Sequence, residues 1–261
     1  MKANKRLGQH FLRDPEVLAD IAAIADVGRS AGALEIGPGE GALTAFLIRS
    51  GRPVVALEKD ARAVAELAQR FGDRVRIVEG DALTADLRAL LPPAAAGVLP
   101  VVVGNLPYNV GGAIYQRLLT LRGEVARLVL MLQREVALRL VATPGNRAYG
   151  IPSVVTSLLA RAWLVRDVPP HAFAPAPKVE SAVVLVELHA EPPLALAELD
   201  AFDRFLTRMF HNRRKTLGNS LEGKGVDLEA AGISPTGRIE ELPPETLLQL
   251  FRAAEAAGQP L

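Results

Sequence analysis

The 261-residue sequence predicts an α/β fold, in which helices flank a mostly parallel sheet and a small helical domain follows. Apolar, strand-like segments end at Gly37, Glu58, Asp81 and Asn105, which are 21, 23 and 24 residues apart. That spacing fits a strand, a helix and their loops, so it predicts right-handed β-α-β crossovers. The composition becomes helical after the linker-like segment 191–193. We therefore expect domains at residues 1–190 and 191–261.

The composition excludes several classes of function. The chain has no Cys, which rules out disulfides, thiolate zinc sites and cysteine nucleophiles. Its four His residues are scattered without ligand spacing, so we expect no metal. No uncharged segment reaches ~18 residues and the first twenty residues lack a signal-peptide core, so we expect a soluble, cytoplasmic protein with no membrane partner. The net charge of +1 does not by itself indicate nucleic acid binding.

The N-terminal arm, residues 1–13, is basic and contains no acid. Asp14-Pro15-Glu16 then supplies a helix N-cap followed by Pro at the first helical position, which predicts a helix from there. An arm of this kind is often a frayed terminus. The apolar pair Phe11-Leu12 favours docking of the arm instead.

The first half of the predicted sheet brings its strand ends to one crevice. We expect strands at 33–36, 53–57 and 75–78, a glycine-rich turn at 37–41 leading into a helix to about Ser50, and a helix at 60–71. Ligands of parallel sheets bind beyond the carboxyl ends of the strands. Gly37, Glu58, Asp81 and Asn105 should therefore line one crevice.

The charges at this crevice distinguish between two ligands. Gly37-x-Gly39-x-x-Ala42, with an acid 16 residues after Ala42, fits the loose dinucleotide fingerprint, so NAD is a candidate. NAD would place its pyrophosphate at the helix N-terminus, where Glu40 lies and Glu35 is near. Acids there favour a cation, and S-adenosylmethionine carries a sulfonium and no phosphate. Glu58 would accept from the ribose hydroxyls, and Asp81 or the backbone beside it would bind the adenine amine. The alternative is that the glycine-rich turn serves packing alone and binds no ligand.

The stretch Asn105-Leu106-Pro107-Tyr108 suggests a site for a planar amine. It follows Val101-Val102-Val103, a segment typical of a strand buried on both faces. Pro107 keeps Leu106 extended, so the Asn105 side chain and the Leu106 carbonyl can both face outward as acceptors beside the Tyr108 ring. The exocyclic NH₂ of a nucleobase fits such a site. An ordinary proline turn is the alternative.

The second half of the sheet and the C-terminal segment carry candidate contacts to RNA. We expect helices at 111–121, 133–141 and 151–160 and strands at 128–132, 164–168 and 182–188. Between the last two strands, a proline-rich loop presents Phe173, which either stacks on a base or anchors the loop by burial, and Lys178. Further on, cations concentrate near Arg213-Arg214-Lys215, in the same stretch of chain as an apolar helical stripe. These cations form either a solvated helix face or a contact to phosphate. A last helix begins at Pro243-Pro244.

Several motifs together resemble one family, the S-adenosylmethionine-dependent adenine-N6 dimethyltransferases of ribosomal RNA. The motifs, which extend over essentially the whole chain, are Gly8-Gln9-His10-Phe11-Leu12, Glu35-Ile36-Gly37-Pro38-Gly39, Glu58, Gly80-Asp81-Ala82, Gly104-Asn105-Leu106-Pro107-Tyr108, Gln133-Arg134-Glu135-Val136, Pro175-Ala176-Pro177-Lys178-Val179-Glu180-Ser181 and Arg213-Arg214-Lys215-Thr216. The last two resemble the bacterial small-subunit branch.

The resemblance implies a Rossmann-like methyltransferase sheet and a specific reaction. Two methyl groups would be added to each of two neighbouring adenosines in a hairpin near the 3′ end of 16S rRNA, in the immature small ribosomal subunit. We expect the protein to be a monomer.

The resemblance also implies roles for individual residues. Cofactor contacts would be His10, Leu12, Gly37, Gly39, Glu58, Asp81 and Asn105. From the residues themselves we expect the catalytic residues to be Asn105, Leu106, Pro107, Tyr108 and Phe173. The basic residues that we expect to contact RNA are Lys5, Arg6, Arg134, Arg147, Lys178, Arg213, Arg214 and Lys215. The family commonly has Asn at the position of His10, although a neutral imidazole still has one hydrogen-bond donor.

Two other functions are compatible with such a fold. One is the related large-subunit methylase of the macrolide-resistance type, which Arg213-Arg214-Lys215 disfavours. The other is a non-catalytic ribosome-assembly or transcription factor, which the intact Asn105-Leu106-Pro107-Tyr108 motif disfavours. A dehydrogenase would need a second catalytic domain and an open anion site, and the sequence supplies neither.

Overall fold

The computed structural model describes residues 9–95, 97–221, 228, 232–256 and 258. The strands of this part are β1 (Phe11–Leu12), β2 (Ala33–Ile36), β3 (Val54–Glu58), β4 (Arg76–Glu79), β5 (Val101–Asn105), β6 (Leu128–Gln133), β7 (Ala160–Val168), β8 (Phe173–Ala174) and β9 (Ser181–Leu188). The α-helices are α1 (Pro15–Ala25), α2 (Thr44–Leu47), α3 (Ala61–Phe71), α4 (Leu87–Leu90), α5 (Gly111–Leu119), α6 (Arg134–Leu140), α7 (Ile151–Leu159), α8 (Leu199–His211), α9 (Leu217–Leu221) and α10 (Pro244–Ala256). None of the described helices is both long and apolar enough to cross a membrane.

The central sheet has seven strands in the order β4-β3-β2-β5-β6-β9-β7. The pairs from β4 through to β6 are parallel, whereas β9 runs antiparallel to β6. The predicted α/β fold with a mostly parallel sheet is confirmed. Because Ile36 lies opposite both Leu57 and Gly104, the following residues Gly37, Glu58 and Asn105 meet at one edge.

Burial explains why these segments form the middle of the sheet. Every residue of β2 and β3 is buried, as are Val101, Val102 and Val103 of β5. Such continuously buried, mostly apolar strands are typical of a parallel sheet that is covered on both faces. At Gly104 a Cβ would lie 2.7 Å from the Ile36 carbonyl oxygen, so glycine permits the close approach of β5 to β2.

The described part of the N-terminal arm is docked. β1 pairs with β8 in a separate two-stranded sheet, Phe11 opposite Ala174 and Leu12 opposite Phe173. Asp14 then caps α1 by accepting from the backbone N–H groups of Glu16 at 2.9 Å and Val17 at 3.2 Å. Docking of Phe11-Leu12 is therefore confirmed, while Lys5 and Arg6 lie outside the described residues.

The chain forms two compact units. The first contains the residues up to Ala137 together with Ala162–Ala190, and the second contains Leu138–Arg161 together with the residues from Glu191 onward. A single boundary after residue 190 does not anticipate that residues 138–161 belong to the second unit. They do so because the apolar face of α7 packs against α8 and α10.

Aromatic contacts hold the second unit together. The ring centroid of Phe251 lies 5.3 Å from that of Phe202 and 5.6 Å from that of Phe205. The Tyr149 hydroxyl donates to the Leu242 carbonyl at 2.8 Å. The predicted apolar stripe of α8 is thus a buried packing face.

Candidate active site

A pocket opens at the carboxyl ends of β2, β3 and β5. Most of its lining comes from five segments: residues 9–12 of the N-terminal arm, residues within the turn 35–43, the strand ends 57–59 and 80–83, and residues 105–110. Gly37, Glu58, Asp81 and Asn105 all contribute to this lining, as the spacing of the strand ends predicts.

The turn after β2 needs glycine for two reasons. Gly37 and Gly39 have φ of 68° and 56°, a left-handed conformation that is costly for other residues. A Cβ at Gly39 would also lie 2.9 Å from the Phe11 ring, so its absence lets the N-terminal arm close against the turn. The Gly39 N–H donates to Glu58 Oε2 at 2.9 Å, which links the turn to the end of β3.

Glu58 is a fixed acceptor in the wall of the pocket. Its side chain is 6 % exposed, and its second oxygen, Oε1, accepts from the Asp60 N–H at 2.9 Å. A carboxylate has about four acceptor positions, so two backbone donors leave capacity for ribose hydroxyls. Ribose binding by Glu58 stays a prediction.

Glu35 is a second acid in this wall, and it is buried. The Thr44 hydroxyl donates to Glu35 Oε2 at 2.6 Å. Burial raises the pKa of Glu35 to about 7, against the lowering effect of the Thr44 hydrogen bond, and the nearby charge of Glu58 raises it further. Near neutral pH this carboxyl therefore carries only part of its negative charge.

Asp81 is engaged at both carboxylate oxygens. Oδ2 accepts from Lys59 Nζ at 2.7 Å and Oδ1 from the Leu83 N–H at 2.9 Å. The hydrogen bond from Lys59 is the main reason why the pKa of Asp81 is lowered. The sequence does not predict the Lys59 partner. Because Lys59 and the Leu83 N–H already engage the carboxylate, the backbone beside Asp81 is favoured as the group that binds the adenine amine.

Asn105 is held by the N-terminal arm. Its Nδ2 donates to the His10 carbonyl at 3.0 Å, which leaves the amide oxygen as the free acceptor. The Leu106 N–H donates to the Met131 carbonyl at 3.0 Å, and the Pro107 carbonyl accepts from Gly111 N–H at 2.8 Å, at the start of α5. The segment is thus fixed on both sides of Pro107.

Tyr108 forms a half-buried platform beside Asn105. Its hydroxyl is hydrogen-bonded to Ser181 Oγ, and burial raises its pKa. The ring stacks on His10 with centroids 5.3 Å apart and planes at 24°. His10 Nδ1 lies 2.8 Å from the Pro175 carbonyl, which can only accept. A neutral His10 therefore uses its one ring donor within the protein and has no ring donor left for a cofactor.

Phe173 does not face solvent, so the expectation that its ring is presented to a base is wrong. The side chain is 4 % exposed and lies in the apolar core with Leu12, Val168 and Ala172. Pairing of β8 with β1 directs the ring inward. The other alternative, an anchor for the proline-rich loop, describes the structure.

The basic residues predicted to contact RNA differ in whether acidic side chains of the protein already neutralise their charge. Arg134 Nε lies 2.8 Å from Asp167 Oδ1 and 3.7 Å from Glu180 Oε2, and Arg213 Nη2 lies 2.7 Å from Glu240 Oε2. The remaining described members are exposed, namely Arg147, Lys178, Arg214 and Lys215.

Two arm residues that the sequence does not mark as part of the site contact the turn and the segment after β3. Arg13 forms an ion pair with Glu40, and Gln9 Nε2 donates to Asp60 Oδ2 at 3.3 Å. Because Arg13 offsets the charge of Glu40, Glu40 repels a phosphate less than the sequence alone predicts. The absence of acidic residues from the arm is the sequence feature that could have predicted its contact with an acid of the turn. Among the described residues, no group of three His, Asp or Glu side chains could hold a metal ion.

Comparisons with known proteins agree with the motifs. The family model described as ribosomal RNA adenine dimethylase matches residues 1–256. "Ribosomal RNA small subunit methyltransferase A" of Ruegeria pomeroyi is 42% identical over 263 residues, covering 97% of this chain and 92% of the relative. The protein of the same name from Phenylobacterium zucineum is 43% identical over 256 residues, covering 96% and 88%.

Solved structures give the same picture. A dimethyladenosine transferase from Plasmodium falciparum has a TM-score of 0.81 at 25% identity and covers 96% of this chain and 99% of its own. The 23S rRNA methyltransferase ErmE has a TM-score of 0.69 at 28% identity, covering 94% and 99%. The chain belongs to the ribosomal RNA adenine dimethylase family, which confirms the resemblance drawn from its motifs.

Proposed function

We propose that this protein transfers methyl groups from S-adenosylmethionine to N6 of two adjacent adenosines in the 3′-terminal hairpin of 16S rRNA, within the immature small ribosomal subunit. The observation that carries the proposal is Asn105, whose amide is oriented by the His10 carbonyl at the edge of the pocket, beside the Tyr108 ring. The relatives named as small-subunit methyltransferases support the choice of RNA.

The pocket fits a cationic cofactor. Glu35 and Glu58 both lie in its wall, where a positive charge lowers the cost of burying carboxylates. A pyrophosphate would meet these acids instead, so NAD fits poorly. When bound, S-adenosylmethionine supplies an electrophilic methyl group. Glu58 binds the ribose hydroxyls, and the backbone beside Asp81 binds the adenine amine.

The residues around Asn105 align the target amine. The lone pair of an exocyclic amine is delocalised into the ring, which makes the nitrogen a weak nucleophile. The Asn105 amide oxygen and the Leu106 carbonyl accept from the N6 protons, so they raise electron density on nitrogen and fix its direction. As the bond from the sulfonium sulfur to the methyl carbon breaks and the bond from nitrogen forms, positive charge would pass to nitrogen, where these dipoles would stabilise it; the surplus N6 proton would then pass to water. No strong base is needed.

Tyr108 holds the adenine outside its helix, because the amine is unreachable while the base is stacked. Its hydroxyl is anchored by Ser181, so the ring is a rigid platform. His10 already stacks on this ring, and the base uses ring surface that His10 does not cover. Phe173 is not part of this clamp, because its ring is buried.

Neither alternative function is favoured. The small-subunit relatives are 42% and 43% identical, whereas the similar 23S rRNA methyltransferase ErmE is 28% identical. The oriented Asn105 side chain argues against a non-catalytic factor. We further propose that the enzyme acts as a monomer in the cytoplasm, where small subunits are assembled, and that residues 191–261 contribute RNA contacts.

Single-turnover transfer of labelled methyl groups to unmethylated small subunits tests the proposal. Asn105→Ala should lower the rate at saturating cofactor roughly a hundredfold or more, since one of two positioned acceptors is lost. Gln116→Ala, which removes an exposed amide from α5, is the control and should match the parent. An Asn105→Ala rate within about threefold of the parent would mean that Asn105 only shapes a turn.

A further inference from the structure

A second concavity in the first unit is lined by arginines. We call it the arginine groove: Arg49 and Arg52, which lie after α2, and Arg70 and Arg74, which lie at the end of α3 and in the turn that follows. The groove is open and has a volume of about 600 Å³. Its other described lining residues are Ala45, Ile48, Gly51 and Phe71, so none of the described carboxylates lines it.

Backbone carbonyls hold three of these guanidinium groups in place. Arg70 Nη1 donates to the Glu40 carbonyl at 2.6 Å, Arg74 Nη2 to the Arg70 carbonyl at 3.2 Å, and Arg52 Nε to the Gly28 carbonyl at 3.1 Å. Arg49 lies over the Phe46 ring at 4.4 Å. A guanidinium has five N–H donors, so each keeps donors for a ligand.

The positive charge of the groove is not neutralised by the acids of the described part of the chain. Among the described residues, none of the four is in an ion pair with a carboxylate. Asp73 is exposed and adjacent to Arg74 in sequence, but it is not among the lining residues. Four like charges around one concavity repel each other, and a polyanion would relieve that repulsion.

The groove is separate from the active-site pocket. Arg52 shortly precedes β3 and Arg74 shortly precedes β4, so this side of the groove lies at the amino ends of these strands, while Arg70 reaches the Glu40 carbonyl beside the pocket. The pocket is formed at the carboxyl ends of the strands. The groove and the pocket share no described lining residue. A ligand of the groove is therefore not the methylated base.

We propose that the arginine groove binds the phosphate backbone of ribosomal RNA at a distance from the methylated adenosines. This inference rests on the proposed function, which supplies the RNA. The planar fork of Arg matches phosphate oxygens in pairs, and held guanidinium groups lose little freedom on binding. Because the groove binds only the RNA phosphate backbone, the contact does not depend on the RNA sequence, and its role is to position the substrate.

The test compares two double variants in binding to unmethylated small subunits. Arg49→Gln/Arg74→Gln removes two cations of the groove, while Arg70 is kept because it holds the Glu40 carbonyl beside the cofactor pocket. Arg122→Gln/Arg161→Gln removes the same charge elsewhere and is the control. The groove variant should bind roughly tenfold more weakly near 0.15 M salt, with a log-affinity against log-salt slope smaller by about 1.5, since each phosphate contact contributes ~0.7–0.9. Cofactor affinity should stay at the parent value.

A second measurement locates the contact without relying on affinity. The chain has no Cys, so Asp73→Cys can carry a single iron chelate that cleaves nearby RNA by hydroxyl radicals. We expect cleavage of 16S rRNA away from the methylated hairpin.

The outcomes separate this inference from the proposed function. If the parent methylates small subunits but both variants match it in affinity and slope, or the chelate cuts no RNA in a bound complex, the groove is not an RNA site. If the parent neither methylates nor binds small subunits, the proposed function itself fails.

Discussion

Glu35→Gln is the change whose effect the structure defines most closely. Glu35 is 2 % exposed, and its pKa lies at about 7 in the folded protein against an ordinary value of 4.5. Between these two values the folded state holds a proton that the unfolded state has lost. The free energy of unfolding must therefore fall as pH rises through this window, and the effect is flat below and above it.

The size of the effect follows from the same two pKa values. A difference of about 2.5 corresponds to roughly 3 kcal/mol of stability lost between about pH 4.5 and pH 7. Gln cannot ionise, so the variant should lack this loss. Near pH 8 it should be more stable than the parent by up to ~3 kcal/mol, less ~1 kcal/mol if the Thr44 hydrogen bond is weakened. Near pH 4.5 the two proteins should be close, because Glu35 is then protonated in the folded state and about half protonated in the unfolded state.

Urea unfolding of the cofactor-free protein, followed by circular dichroism from about pH 5 to pH 8, measures this difference. Glu79→Gln, at an exposed carboxylate of β4, is the matched control and should keep the pH dependence of the parent. If Glu35→Gln loses as much stability as the parent over this range, Glu35 is already ionised when folded and the reasoning fails. A cationic cofactor should also expel the Glu35 proton near pH 7, a release that calorimetry in two buffers detects and that the variant should lack.

The remaining predictions concern the pocket, the core and the C-terminal cations. Glu58→Ala should weaken S-adenosylmethionine binding by ~2–3 kcal/mol in titration calorimetry, because two hydroxyls lose a charged acceptor; unchanged affinity contradicts the assignment. Phe173→Ala should lower the free energy of unfolding by ~3–5 kcal/mol, as expected for a buried ring, whereas full stability with lost methyl transfer would point to base contact. Arg213, Arg214 and Lys215 changed together to Ala should lower RNA affinity and its salt slope while cofactor affinity is kept; an identical slope would make the cluster a solvated face. Most of that loss should come from Arg214 and Lys215, because Arg213 is paired with Glu240.

The parallel half of the sheet was predictable because its information is local. Each strand and the turn and helix that follow it are consecutive along the chain. The spacing alone was therefore enough to predict that Gly37, Glu58 and Asn105 lie at one edge of the sheet. The position of β9 between β6 and β7 depends on pairing between segments that are far apart in sequence, and the spacing of β-α units contains no signal for it. The same holds for the pairing of β1 with β8.

Side-chain partners were less predictable than side-chain positions. Asp81 and Glu40 lie where expected, but Lys59 and Arg13 pair with them across loops. Such pairs depend on rotamers of long side chains, which leave no periodic pattern in the sequence. The direction of Phe173 was open for a related reason: a two-residue strand is too short for alternation to reveal which face is buried.

The N-terminal arm gives the active site a property that no single motif suggests. His10 contacts both parts of the base site, since its carbonyl orients Asn105 and its ring stacks on Tyr108. One to three residues further on, Phe11 packs against Gly39 and Arg13 pairs with Glu40 in the turn of the cofactor pocket. One short segment therefore supports the alignment of the amine and the shape of the cofactor turn together. Because β1 is itself held by β8, the position of the arm also depends on the proline-rich loop that contains Phe173. The buried Phe173 ring therefore has a structural role, to support the position of the arm, that requires no contact with the base.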